Sequence, residues 1–223
     1  MSDKKAVSDK FEFYDVVGIL VPGSILLALI AAGFPATTGV FATIGFPDAF
    51  GVICLTAVAV FAGHLVQAIS SLLEPVLDWT WGGRVSERAL RGELDSRYFP
   101  NDTAQRIRTK LIKAVGSGAT DRSLFLYAMQ IAETSGNSRV SKFNGLYAYN
   151  RALVTLLFLG LILLVVAMVW GAAEAWPIRS KISALAIVVL LLVIAWNRAK
   201  QRAYYYVREV LATAERLIDV ESR

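Results

Sequence analysis

Histidine and cysteine occur once each in this 223-residue chain, as His64 and Cys54. A lone cysteine inside an apolar run forms no internal disulfide and excludes a C-x-x-C redox or metal motif. One histidine and one cysteine also argue against a conventional zinc site within one chain, so no metal or cofactor is expected. Catalytic signatures are missing as well. Ser70 and Ser71 lie near His64, but there is no G-x-S-x-G elbow and no H-E-x-x-H. The GSG stretch at 116–118 is too short for a phosphate loop and lacks the Lys-Ser/Thr that follows one. No catalytic residue is assigned and no enzyme is expected. No Val/Ile/Thr alternation points to strands, and no internal repeat is evident. A cleavable signal peptide is not expected either: the first apolar run starts near Val16, lacks a small-residue cleavage site and is followed by further runs.

What is present is apolar. Hydrophobic residues make up 56% of the chain and the mean hydropathy is +0.52. They gather into four long runs, whereas a soluble domain would spread them in short periodic pieces. The fold class expected is all-α: a multi-pass membrane protein with four transmembrane helices and a cytoplasmic helical domain in a lipid bilayer. The spans are placed at residues 16–33, 50–81, 152–170 and 182–196. Pro22–Gly23 should kink the first, which a membrane tolerates where a neighbour satisfies the freed carbonyl. Trp79 and Trp81 should mark an interface at the end of the second, and the third and fourth also carry Trp near an end. Residues 34–49 contain no Lys or Arg and read as a short external or re-entrant loop.

Basic residues set the orientation. Residues 83–151 hold twelve of the 23, and the tail from Arg198 holds six more. The second external hairpin carries only Arg179 and Lys181. The positive-inside rule then puts both termini and the central segment in the cytoplasm. The organisation expected is a cytoplasmic N-terminal segment (1–15), a first helix pair (16–82), a cytoplasmic helical domain (83–151), a second helix pair (152–197) and a cytoplasmic C-terminal helix (198–223). Residues 1–15 read equally as a mobile tail or as a short interfacial helix capped by Ser8 or Asp9.

Within the central segment, Glu87 and Arg91 form an (i, i+4) pair. Asn101 or Asp102 can cap a helix to about Val115, and Thr120 or Asp121 a second to about Thr134. A turn at 135–137 leads to a helix from about Ser138 that should run unbroken into the third span. The fourth span should likewise continue to about Val220.

Three constellations stand out. His64, Gln67, Ser71, Glu74 and Asp78 recur at spacings of three, four, three and four, on one stripe of the second span. The stripe reads as a pore lining or gate, with the carboxylates at the cytoplasmic mouth. It also reads as hydrogen bonding between helices, with His64 and Gln67 as the links and the acids in the headgroup region, a reading that the acids' place at the edge of the segment favours. The second is the basic run Arg106, Arg108, Lys110 and Lys113. Positions 106, 110 and 113 share a helix face opposite Ile107, Leu111 and Ala114. This is either a solvated face or a surface for anionic lipid or an oligonucleotide ligand. The third places Phe143, Tyr147 and Arg151 four residues apart, with Tyr204, Tyr205 and Tyr206 at the matching position after the fourth span. These rings should pack the emerging helices together, with Arg151 at the headgroup; nucleobase stacking, with Tyr147 and Arg151 as ligand-binding residues, is the other reading.

The stretches FEFYDVVGILVPG, GHLVQAISSLLE and KFNGLYAYNR resemble a group of small bacterial anti-phage membrane effectors, nearest the channel-forming effectors of Hailong systems. The resemblance covers most of the chain through short motifs, none of them catalytic. It implies a homo-oligomeric channel in the bacterial inner membrane that depolarises the cell, controlled by a nucleic-acid or nucleotide ligand from a partner nucleotidyltransferase. It touches His64, Gln67 and Glu74 in one stretch and Tyr147 and Arg151 in another. Assigning Arg106, Arg108, Lys110 and Lys113 to the ligand is an inference from charge. Four spans with one polar stripe make a poor pore alone, so several subunits, a tetramer most simply, would surround one axis. The competing reading is a non-conducting scaffold that holds a cytosolic partner at the membrane.

Overall fold

The computed structural model describes residues 16–37, 39, 49–134, 138–171 and 173–221. The N-terminal cap, most of the 34–49 loop and the turn at 135–137 lie outside these residues. No strand occurs among the described residues. A π-helical turn, Val16–Leu20, enters α1 (Val21–Gly33); then come α2 (Ala49–Thr80), α3 (Val85–Arg91), α4 (Asn101–Val115), α5 (Asp121–Thr134), α6 (Ser138–Trp170) and α7 (Ile178–Glu221). α6 runs unbroken from polar into apolar sequence and α7 from apolar into polar, as expected: neither interior contains a proline to remove a backbone donor.

Three stretches are long and apolar enough to cross a membrane: Ala49–Arg91, Arg139–Trp170 and Ile178–Asp219. The first expected span is different. Gly18–Gly33 is an apolar helix of the 10–17-residue class, and at about 1.5 Å per residue it falls short of a roughly 30 Å hydrocarbon core. Only 6% of the most apolar stretch of Ile178–Asp219 is buried, so most of its apolar side chains are left uncovered by the described residues.

The chain packs as two compact units. The first comprises the described residues within Met1–Leu73 and Ala148–Asn197, and the second Glu74–Tyr147 with those of Arg198–Arg223.

In the first unit glycines bring backbones together. A Cβ on Gly23 would strike the carbonyl oxygen of Ala59 and lie 2.6 Å from the Gly63 nitrogen; one on Gly63 would strike the carbonyl oxygen of Ile19. Only glycine allows this approach, as small residues do between membrane helices generally. Beside the crossing, Val66, Ala152 and Leu156 form a buried cluster against which Leu26 packs. Pro22 sits in the first turn of α1, directly after the π-helical turn, so the carbonyl its missing amide would have met belongs to that turn. The irregularity falls on the π-helical turn before it.

In the second unit α3, α4 and α5 pack pairwise. Leu90, Ile107, Leu111 and Leu124 are fully buried, as are Val210 and Leu211 of α7. The Glu87–Arg91 pair forms at 3.3 Å. Three details differ from expectation. The residue before α4 is Pro100 in extended conformation, and no side chain caps that helix. Proline has no amide to leave unpaired and its fixed φ suits a helix entry. The buried face of α4 uses Ala104, Ile107 and Leu111, while Ala114 is exposed. Of the two tryptophans expected at an interface, Trp79 is exposed but Trp81 is only 3% exposed and belongs to the unit's core.

Candidate functional site

α2 carries all five stripe residues, but an α-helix turns about 100° per residue, so the stripe has two edges. Relative to His64, Ser71 lies about 20° away, Asp78 about 40°, Gln67 about 60° and Glu74 about 80°. His64 and Ser71 are exposed, whereas Gln67, Glu74 and Asp78 are half-buried. Gln67, Glu74 and Asp78 on the trailing edge, together with Ser71, meet neighbours, and His64 does not.

Those neighbours are specific. Gln67 donates from Nε2 to the carbonyl of Gly18 at 2.7 Å. In α-helical register Gly18 is the residue whose carbonyl the nitrogen of Pro22 would satisfy, and proline has no hydrogen to give. Gln67 is thus the neighbour the Pro22 argument required. Ser71 donates to the Gln67 carbonyl at 3.1 Å and accepts from Nη2 of Arg151 at 3.2 Å, while Nε of Arg151 donates to the fully buried Ser70 at 3.0 Å. Arg151, expected at the headgroups as a ligand residue, ties α6 to α2 in the first unit.

The two carboxylates belong to the second unit. Glu74 accepts from the Tyr147 hydroxyl at 3.3 Å, and Asp78 lies 3.6 Å from Nε of Arg84. Both border a cavity of about 250 Å³ whose walls include Arg84, Arg122, Tyr147 and Tyr206. Tyr147 and Tyr206 lie nearly parallel, with ring centres 6.2 Å apart, and Phe125 meets Tyr206 edge-on. Farther along, Phe143 packs on Tyr205 and Tyr98 on Tyr204. The expected packing of rings on α6 and α7 is present. The cavity joins an aromatic wall, two carboxylates and two guanidiniums, a set suited to a small polar or zwitterionic group. Arg122 is exposed and has no polar partner among the described residues.

The basic run is arranged otherwise than a free anion surface. Arg106 pairs with Glu215 at 2.7 Å, Lys110 with Glu215 at 3.0 Å and Asp219 at 2.8 Å, and Arg108 with Asp121 at 3.0 Å. The Glu215 carboxylate bound to Arg106 holds that guanidinium's pKa above its ordinary value, and Asp219, then Glu215, does the same for Lys110. Lys113 alone of the four is exposed without a polar partner among the described residues.

Sequence reasoning missed Arg84 and Arg122 as cavity residues. Arg84 had a signal, since a basic residue six positions after Asp78 and just past a Gly-Gly turn can fold back on it. Arg122 had none, because only tertiary packing brings α5 beside Tyr147. No known protein family, curated protein or solved structure matches this chain.

Proposed function

We propose that the protein is an oligomeric membrane effector that forms a gated ion channel, with several copies presenting the His64 face of α2 to one another around a common path. The exposure of His64 in the apolar part of α2 carries this reading. An imidazole turned to hydrocarbon is costly, and a partner subunit or a water-filled path removes that cost. Ala57, Ala68 and Ser71 are exposed with it, and such small side chains let helices approach closely. A cyclic assembly, a tetramer most simply, closes such a face on itself.

In this reading all four apolar segments sit in a bacterial inner membrane, with both termini and the second unit in the cytoplasm, following the Lys and Arg distribution. Control by a cytosolic nucleotide or oligonucleotide, made by a partner nucleotidyltransferase in anti-phage defence, is assigned to Arg122 and Lys113, exposed cations of the second unit without a carboxylate partner among the described residues. Arg106, Arg108 and Lys110 are less suited to it because each is engaged by a carboxylate. Ion flux through liposomes holding the purified protein is the test. Flux in the wild type that His64→Leu alters supports the channel. No flux in either, with or without added oligonucleotide, overturns it and leaves the non-conducting scaffold.

A further inference from the structure

The first unit contains a second cavity, of about 230 Å³, lined among others by Leu29, Ala32, Gly160, Leu163, Ala167 and Trp176. None of its lining residues is polar. It is smaller than the roughly 300–1,000 Å³ of sites that enclose a small molecule. A slot of this size suits one end of a long, thin ligand whose remainder lies outside it. Small residues create it: a Cβ on Gly160 would come within 3.3 Å of the Leu29 side chain.

Apolarity alone would not select a ligand here, because lipid tails are as apolar as leucine. Selection must come from a charge at the rim, and Lys181 supplies one. Its ammonium donates to the carbonyls of Glu174 at 2.8 Å and Met168 at 3.4 Å. Met168 adjoins Ala167, and Glu174 adjoins Ala173; both alanines line the cavity. An ammonium has three N–H donors, so two bonds to neutral carbonyls leave one donor and the full positive charge.

We propose that this cavity seats one acyl chain of an anionic phospholipid, with the lipid phosphate on Lys181. The proposal rests on the membrane reading of the first unit. The probe is phosphatidylglycerol, with phosphatidylcholine as the neutral-headgroup comparison, titrated onto the detergent-solubilised full chain and read by native mass spectrometry. The wild type should retain phosphatidylglycerol at least tenfold more strongly than phosphatidylcholine. Lys181→Gln should abolish that preference and Lys181→Arg should keep it. Ala32→Phe, at an exposed position of the wall, should block the slot and lower retention of both lipids.

Equal retention of the two lipids by the wild type overturns the proposal, as does a preference that survives Lys181→Gln. Unchanged retention in Ala32→Phe, with an unchanged melting temperature, also overturns it. Extraction of the protein from vesicles by alkaline carbonate would instead strike the membrane reading itself, which separates the two failures.

Discussion

The two compact units handle polar side chains in opposite ways. In the first, polar groups repair backbone or meet hydroxyls: Gln67 on the Gly18 carbonyl, Lys181 on two carbonyls at the end of α6, Arg151 on Ser70 and Ser71. In the second, charges meet charges, as Arg106, Arg108 and Lys110 do with Glu215, Asp121 and Asp219. The proposed membrane setting of the first unit accounts for the difference. Where water is excluded, an unpaired carbonyl has no other partner, so a scarce polar side chain is best used on it. Where water is present, backbone is satisfied by regular helices and charges are plentiful, so surface ion pairs organise the helices. A polar residue in the middle of an apolar helix of the first unit without such a duty is therefore informative, and His64 is such a residue.

The largest effect expected from this contrast is at the glycine crossing. Gly63→Leu places a side chain where the Ile19 carbonyl already lies, and overpacking of this severity should cost about 3 kcal/mol or more. Loss of a cooperative thermal transition in detergent is the expected outcome. A wild-type melting temperature would mean that the two backbones do not meet there.

Gln67→Leu comes next. It fills similar space but strands the Gly18 carbonyl, and the expected loss is about 1–2 kcal/mol, read in the same melt. Gln67→Asn, too short to reach, should behave likewise. No change in either would show that the carbonyl finds its partner within its own helix, and would remove the reason for placing Gln67 on the structural edge of the stripe.

The requirement that Gln67 meets was legible in the sequence, because Pro22 announces a carbonyl without a donor. Its identity was not, because Gly18 and Gln67 are 49 positions apart. The same limit applies in the second unit. The reach of α6 and α7 could be read from uninterrupted helix-forming sequence. The destinations of the basic run could not, because Arg106 and Glu215 are 109 positions apart and a paired face has the same spacing as a free one. At α4 the error was local: Asn101 and Asp102 are good caps by type, but Pro100 occupies the position.

The smallest effects concern those ion pairs, which are partly solvated and exchange water for protein partners. Arg106→Glu should lower the melting temperature modestly, and adding Glu215→Arg should restore part of the loss. No recovery in the double variant would argue against the pair. The pKa of Lys110 is raised by its carboxylate partners. Its contribution is therefore fully present below the ordinary lysine range and lost as pH rises through the raised value. Lys110→Gln should thus be less stable than wild type near neutrality and should lose less on going to strongly alkaline pH. Parallel curves for the two proteins would contradict that assignment.

The central claim is that the His64 edge of α2 faces a shared, water-accessible path. Cys54 is the chain's one cysteine, so Cys54→Ser gives a background into which single cysteines can be placed. His64→Cys and Leu65→Cys would be treated in liposomes with a charged, membrane-impermeant thiol reagent while ion flux is recorded. Both positions are exposed on the isolated chain, but they lie about 100° apart on the helix. The account predicts that the reagent modifies His64→Cys and changes its flux while Leu65→Cys stays inert. Equal labelling of the two, or none at either, would contradict it.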